Sequence, residues 1–565
     1  MKPKIIFCED TVNGAGLCRK LAEPVIDNLC EANGRENTFI VYWESPGYAR
    51  GHIFNDKPKY GRPIKSCCDY KCINLLKHKT STIKRLNNEY SEAISRHIGN
   101  QVHQEFSNVA KLFALKYREI RVGPGIAQWL YRISPMLYKE WCLDYSTYAY
   151  YLANVKSVLD VLYSISVDIE VQCIFLSDPG YIANCIIKWC KANNTLVPWL
   201  EAANYDCMMP DTSCNLLYGI SEFGAYQAKH LAIMKEKSKN NISIEMKKKL
   251  TMQMYESRVR GLNIHSPNWN AQKKAMQFSS NSLSRCLLES GMKPLKLMNS
   301  TLELIDGDHK TIIIIFYLHC FADAPFAEGF SGFAGTYEFY CKVAKAISMV
   351  SGNIPIRLLL RPHPFVGAQT CLFTDKEHMN DMEVSDIILT AHLIMDLQQI
   401  CLKSNNIALE QISPGLPLSE LCKTYNKLVH ITHHGTVAEE LLYLNQHTVT
   451  TVTNPIASLN LGCYVINTPE EAFNTITRCL LDAVNKKPPS INRDLLLNYG
   501  YTNHIEKRLC NDAWGRVCNI VAENDIPGHS VEENNINDSF KSRIGRILFR
   551  MSPLKERIRE NQELA

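Results

Sequence analysis

An α/β fold of two domains, each built on a parallel sheet, is predicted by three features of the chain. Short apolar, β-branched runs alternate with helical patterns in both halves. The stretch "VQCIFLSDPGYIANCIIKWCKANNTLVPWLEA" (171–202) reads as strand, turn, helix of about a dozen residues and second strand, a unit that sets neighbouring strands parallel. The length, 565 residues, is enough for several sizeable cores.

In order along the chain, "KIIFCED" (4–10) is a short buried strand, followed by a helical pattern over 15–33. Residues 50–115 are polar, basic and helical in tendency, an insertion or a set of surface helices. The strand–turn–helix unit at 171–202 follows. Residues 221–260 form a long charged helical stretch, read as a solvated connecting helix toward the end of the first domain. The second series starts at "TIIIIFYLH" (311–319), a strand. "GTYEFYCKVAKAISMVSG" (335–352) is a helix with a glycine stop, and "IPIRLLLRPHP" (354–364) a strand closed by prolines. "NIALEQ", "KLVHIT" and "HTVTTV" are further strands, with "TVAEELLYLN" a helix between the last two. "IPGHSVEENNIND" (526–538) is linker-like. The expected organisation is a first domain over 1–300 with a helical insertion at 50–150, a second over 301–525, and a linker and basic tail over 526–565. No internal repeat is evident.

Composition narrows the classes. With 46% hydrophobic and 21% charged residues the chain is ordinary globular material, and a net charge of +5 is weak over this length. No nucleic-acid partner is expected. The 22 cysteines are scattered through apolar segments, and even the densest cluster, "SCCDYKC" (66–72), lacks a second pair at zinc spacing. They read as thiols of a reducing compartment. "MKPKIIFCED" is too short in apolar residues for a signal peptide, and "TIIIIFYLHCFA" (311–322) falls short of the roughly 20 residues of a spanning helix. A cytoplasmic protein, soluble or held on a membrane surface, is the expectation. There is no Gly-Lys-Ser/Thr phosphate loop and no G-x-S-x-G elbow, and "DGD" (306–308) precedes its strand instead of ending one.

In open parallel sheets ligands bind at the carboxyl ends of strands. Three groups fall at such ends. His319 ends one strand, with Asp323 in the loop beyond it. Arg361 and His363 end another. His433, His434, Gly435 and Thr436 join a strand to a helix. If the strands are parallel, all three gather at one edge of one sheet. Gly435 lets a ligand approach the backbone, Thr436 can cap, and helix N–H groups favour a phosphate. Arg361 can add charge-assisted hydrogen bonds. Glu439 or Glu440, one turn in, can accept from a vicinal diol such as a ribose. Each feature has a plainer reading: a rigid turn for "RPHP", dipole compensation for the glutamates, a structural role for the histidine pair. Their combination in one domain is what points to a nucleotide site. His319, His363 and His434 can also serve a metal, but arginine beside two of the loops favours an anion, so no metal and no cofactor are expected.

"RPHP", followed about 70 residues later by "THHGTVAEELLYLNQHTVT", resembles the bacterial capsule-polysaccharide glycosyltransferases, including those using CMP-activated 3-deoxy-octulosonic acid (Kdo). Sialyltransferases with an "HP" motif and CDP-glycerol glycerophosphotransferases are similar at a greater distance. "LHCFADAP" also looks like a segment of surface-polysaccharide proteins, and the similarity spans 310–470. The resemblance implies the GT-B architecture, two Rossmann-like domains facing a cleft, with the nucleotide held mainly by the second domain and no obligatory metal. It implies phosphate contacts for Arg361 and His363, a cradle at Gly435 and Thr436, and ribose contacts for Glu440 or Glu439. One departure bears on the nucleotide: several relatives carry Ser-Ser or Ser-Thr where this chain has His433-His434-Gly435-Thr436. The reaction it implies moves a sugar from CMP-Kdo or a similar donor to a growing capsule or O-antigen glycan, free or lipid-linked. The alternatives sharing this architecture are a nucleotide-sugar epimerase, a CDP-glycerol-type phosphotransferase and a non-enzymatic assembly protein.

Such a transferase needs a base for the acceptor hydroxyl. Glu9 and Asp10, after the first strand and beside "NGAG", and Asp178, after "VQCIFLS", are candidates, though each also suits a cap or turn. His319 completes the catalytic set. In the tail, "SFKSRIGRILFRMSPLKERIRENQ" (539–562), basic and apolar residues alternate at helical spacing, interrupted by Pro553. A basic amphipathic helix of this kind either lies on the inner face of the cytoplasmic membrane or packs back on the protein.

Overall fold

A computed structural model describes residues 4–9, parts of 26–43, 109–133, 145–175, 181–195, parts of 202–210, 243–261, 295–300, 311–321, 331–363 and 381–501, apart from isolated positions within these ranges. The first half contains strands β1 (Lys4–Glu9) and β2 (Thr38–Trp43), helix α1 (Val109–Phe113), the short strands β3 (Lys116–Tyr117) and β4 (Ile120–Arg121), helices α2 (Gly123–Ile133) and α3 (Tyr145–Asp168), β5 (Glu170–Phe175), α4 (Tyr181–Ala192), and the strands β6 (Ala202–Asn204) and β7 (Cys207–Pro210). β1 lies between β2 and β5, and both pairings are parallel. Of the strand–turn–helix–strand reading of 171–202, the first strand and the helix are matched by β5 and by the twelve residues of α4, whose Ile186, Ile187, Trp189 and Cys190 are buried, while the second strand at 196–200 lies outside the described residues. Two features go beyond the sequence reading. "TFIVYW" is a second parallel strand, and the expected helical insertion at 50–150, of which 50–108 lies outside the described residues, carries the antiparallel pair β3–β4.

The second half contains α5 (Ile244–Val259), β8 (Leu297–Met298), β9 (Ile312–Tyr317), α6 (Thr336–Val350), β10 (Ile356–Arg361), α7 (Asp381–Leu402), β11 (Ile407–Ile412), α8 (Leu418–Thr424), β12 (Leu428–Thr432), α9 (Val437–Tyr443), β13 (His447–Thr451), β14 (Tyr464–Ile466), α10 (Ala472–Val484) and α11 (Arg493–Gly500). Seven strands form one parallel sheet in the order β14-β13-β12-β9-β10-β11-β8. β9 is its middle strand, and all six of its residues are buried, as an apolar run covered on both faces must be. Ile312, Ile314 and Phe316 share one core with Tyr340, Val343, Leu393 and Ile476. Ile313, Ile315 and Tyr317 share another with Tyr255, Leu441, Leu442 and Leu497. The chain runs outward from β9 to β10 and β11, then returns to place β12 on the other side of β9. Strand order therefore reverses at β9, and the carboxyl ends of β9, β10 and β12 border that reversal.

The structure corrects one expectation: the charged stretch before residue 260 is not a solvated connector. Its described part, α5, is capped by the Ser243 hydroxyl, which accepts from the Met246 N–H, and buries Leu250, Met254, Tyr255 and Val259. Met254, Tyr255 and Val259 pack on the second half, and β8, also upstream of residue 301, is an edge strand of the large sheet. Polar residues dominate α5 by composition, so periodicity alone hid the buried stripe. Among the described residues no helix is long and apolar enough to cross a membrane. The linker, the 539–562 tail, "DGD" and "SCCDYKC" lie outside the described residues.

Candidate functional site

The strand-order reversal is where parallel sheets bind ligands, and four histidines meet there. His319 lies two residues past β9, His363 two past β10, and His433-His434 directly past β12. The His319 and His434 rings stack with centroids 3.9 Å apart and planes 13° apart, and His363 lies 6.4 Å from His319. The His319 Nε2–H donates to the His434 carbonyl. A carbonyl only accepts, so Nε2 of His319 carries a proton. His433 and His434 approach through their Nδ1 atoms, 2.6 Å apart, and His433 Nε2 lies 3.0 Å from the Ser331 hydroxyl. Cys320 Sγ lies 3.2 Å from His363 Nδ1.

The loop is held from below. The hydroxyls of Thr450 and Thr451 on β13 donate to the His433 carbonyl at 3.1 and 2.8 Å, and the Thr432 hydroxyl donates to the His434 carbonyl at 2.9 Å. Gly435 has φ +114°, and a Cβ there would stand 3.0 Å from His319 Cε1. Glycine is required here both for backbone conformation and for room. Burial sets the charge state. It lowers the pKa of His363 to about 4 and of His433 to about 3, and pushes His434 well down, with the neighbouring His319 adding to the last two. At neutral pH these three are uncharged imidazoles, each offering one N–H and one lone pair.

This arrangement predicts a pH dependence of folding. His363, His433 and His434, and the buried strand residue His430 (about 3, from burial), all have folded pKa values below the ordinary 6.5. Their contribution is complete above about pH 6.5 and is lost as pH falls toward the folded values, a pKa difference of one being worth about 1.4 kcal/mol. Glu440 acts oppositely, since burial raises its carboxyl from 4.5 to about 7, so its contribution fades as pH rises across that window. Four groups outweigh one. The melting temperature should fall between about pH 7.5 and about pH 5, and a flat profile would contradict the buried neutral assignment.

The remaining expected residues divide. Arg361 does reach the end of β10, but its guanidinium turns under the sheet edge. One amino group, Nη2, donates to the carbonyls of Pro414 at 2.8 Å and Leu416 at 2.7 Å, and the ion lies over the Tyr317 ring. Its Nη1 is buried without a hydrogen-bond partner. Glu440 is half-buried on the same side, within the electrostatic reach of Arg258 and Arg361. Glu439 turns away. It is 4% exposed, and its Oε2 accepts from the Tyr255 hydroxyl at 2.9 Å, which removes it from the ligand-facing set. His433, 6% exposed, is likewise a buried buttress. Thr436 is exposed and precedes α9 in helical conformation without a side-chain capping bond, contrary to the capping expectation. α9 is only seven residues long, so its dipole adds little. Glu9 is the last residue of β1. Its side chain, and Asp10, Asp178 and Asp323, lie outside the described residues. Among the described residues no three His, Cys, Asp or Glu side chains are grouped to hold a metal ion.

Sequence reasoning missed Ser331, Thr432, Thr450, Thr451 and Tyr255. Threonine in a strand is ordinary, so those positions carried no signal, and Tyr255 sits in the helix misread as solvated.

No protein-family model and no curated protein matches the sequence. Among solved structures, similar ones include a UDP-forming α,α-trehalose-phosphate synthase from Burkholderia xenovorans, at 11% identity over 92% of this chain and 100% of that one, with a TM-score of 0.32. The α,α-trehalose 6-phosphate synthase of Burkholderia multivorans has 10% identity over 93% and 100%, TM-score 0.29. HepE of Anabaena, in complex with UDP, has 10% identity over 62% and 91%, TM-score 0.20. At such scores the likeness carries no argument about the site. The class of protein rests on the two parallel sheets: an α/β protein whose strand-end histidine cluster stands at the reversal of strand order, the place where doubly wound sheets bind ligands.

Proposed function

We propose that the chain is a metal-independent glycosyltransferase of the GT-B kind, taking a sugar from a nucleotide-activated donor, CMP-Kdo or a similar one, and adding it to a bacterial surface glycan. The observation that supports this most directly is the convergence of His319, His363 and the His434–Gly435 turn at the strand-order reversal of the large sheet. The imidazoles of His363 and His434, uncharged at neutral pH and beside a glycine turn, give hydrogen-bond donors for phosphate oxygens, whereas the Nε2–H of His319 is already given to the His434 carbonyl. Glu440, half-buried, is the acceptor for a ribose diol. His319 and the first-half carboxylates Glu9, Asp10 and Asp178 are the candidates for taking the proton of the acceptor hydroxyl. Attachment to the inner membrane through the 539–562 tail belongs to the same proposal, since an enzyme extending a lipid-linked glycan works at that surface.

The test is ligand-linked stability. A nucleoside mono- or diphosphate at about 100 times its Kd should add roughly 2.7 kcal/mol to unfolding. Glu440→Ala should lose most of that gain while folding normally, and the wild-type response should survive EDTA. If no nucleotide of a cytidine, uridine, guanosine and adenosine panel raises the melting temperature, the nucleotide site is wrong.

A further inference from the structure

Two adjacent glutamates follow the histidine loop, and only one of them can serve a ligand. Consecutive residues of a helix point about 100° apart, so whatever holds Glu439 decides where Glu440 points. The holder is Tyr255 of α5. Its side chain is fully buried, and its hydroxyl donates to Glu439 Oε2 at 2.9 Å. Its ring stacks on Tyr443, at the far end of α9, with centroids 5.1 Å apart and planes 25° apart. The backbone of α11 closes against it, since a Cβ at Gly500 would stand 2.7 Å from the Tyr255 hydroxyl. Arg493 of α11 completes the clamp by lying 4.0 Å over the Tyr443 ring and donating to the Tyr443 carbonyl. A seven-residue helix has little stability of its own. Its rotation about its axis is therefore set by these contacts, at Glu439 near its start and at Tyr443 at its end.

We infer that Tyr255 is a positioning residue of the nucleotide site: by holding Glu439 it fixes the rotation of α9, and so presents Glu440 and the Gly435 turn to the ligand. This rests on the proposed nucleotide reading and deepens it. Segment 243–261, upstream of the large sheet's main series, becomes part of the site's construction.

The experiment measures nucleotide affinity by calorimetry on the full chain, using the best binder of the nucleotide panel, alongside urea unfolding. Tyr255→Phe keeps the ring stack and removes the hydroxyl. It should weaken nucleotide binding about tenfold. It also takes a hydrogen-bond donor from a buried carboxylate, so stability should fall as well. The double variant Tyr255→Phe/Glu439→Met removes both polar partners and should recover stability while affinity stays about tenfold low. Wild-type affinity in the single variant overturns the inference. So does a double variant whose affinity returns together with its stability, because Tyr255 would then be merely structural. A wild type that binds no nucleotide overturns the site reading and this inference with it, a result distinct from tight binding that ignores Tyr255.

Discussion

Gly435→Ala is expected to damage both folding and ligand response, beyond what one added methyl group ordinarily does. The residue sits at φ +114°, where a side chain carries backbone strain of about 1–3 kcal/mol. The new Cβ would also press on His319 Cε1 at 3.0 Å, inside ordinary contact, and His319 cannot yield freely because its Nε2–H is bonded to the His434 carbonyl and its ring stacks on His434. Relief therefore requires the whole loop to shift. The urea midpoint should drop, and nucleotide-induced stabilisation should disappear. A variant that melts and binds as the wild type would mean that the Gly435–His319 approach is not the working geometry of this loop.

Arg361→Ala is expected to cost about 3 kcal/mol or more of stability, because two buried carbonyls, Pro414 and Leu416, lose a charged donor. Read from the sequence alone, this arginine ends a strand and contacts a phosphate, and its replacement should cost far more activity than stability. The structure reverses the order. Arg361→Lys should rescue only in part: an ammonium can donate to both carbonyls, as Nη2 does, but it is more strongly hydrated and loses the flat guanidinium's place over the Tyr317 ring. Chemical denaturation decides: a variant with wild-type stability but no nucleotide binding would restore the direct phosphate role.

The contrast between these two residues shows where sequence reading reached and where it stopped. The convergence of the three strand-end groups was legible. Strand–helix alternation implies parallel strands, and parallel strands deliver their carboxyl ends to one edge, so His319, His363 and His433-His434 had to be neighbours if the alternation was read correctly. β9, β10, β11, β12 and β13 lie where their apolar runs placed them. What the sequence could not assign was direction. Arg361 and His363 are two residues apart, yet one turns beneath the edge to backbone carbonyls and the other faces the histidine cluster.

Glu439 and Glu440 are adjacent and look interchangeable. The approach of Tyr255, 184 positions away in the chain, marks Glu439 as a structural carboxylate and leaves Glu440 as the one proposed to face a ligand. Local pattern determines which residues reach an edge, because strand period and chain direction are local properties. Which way each polar side chain turns depends on the partners that long-range packing brings to it, and so the division of labour within the site is a decision of the tertiary structure.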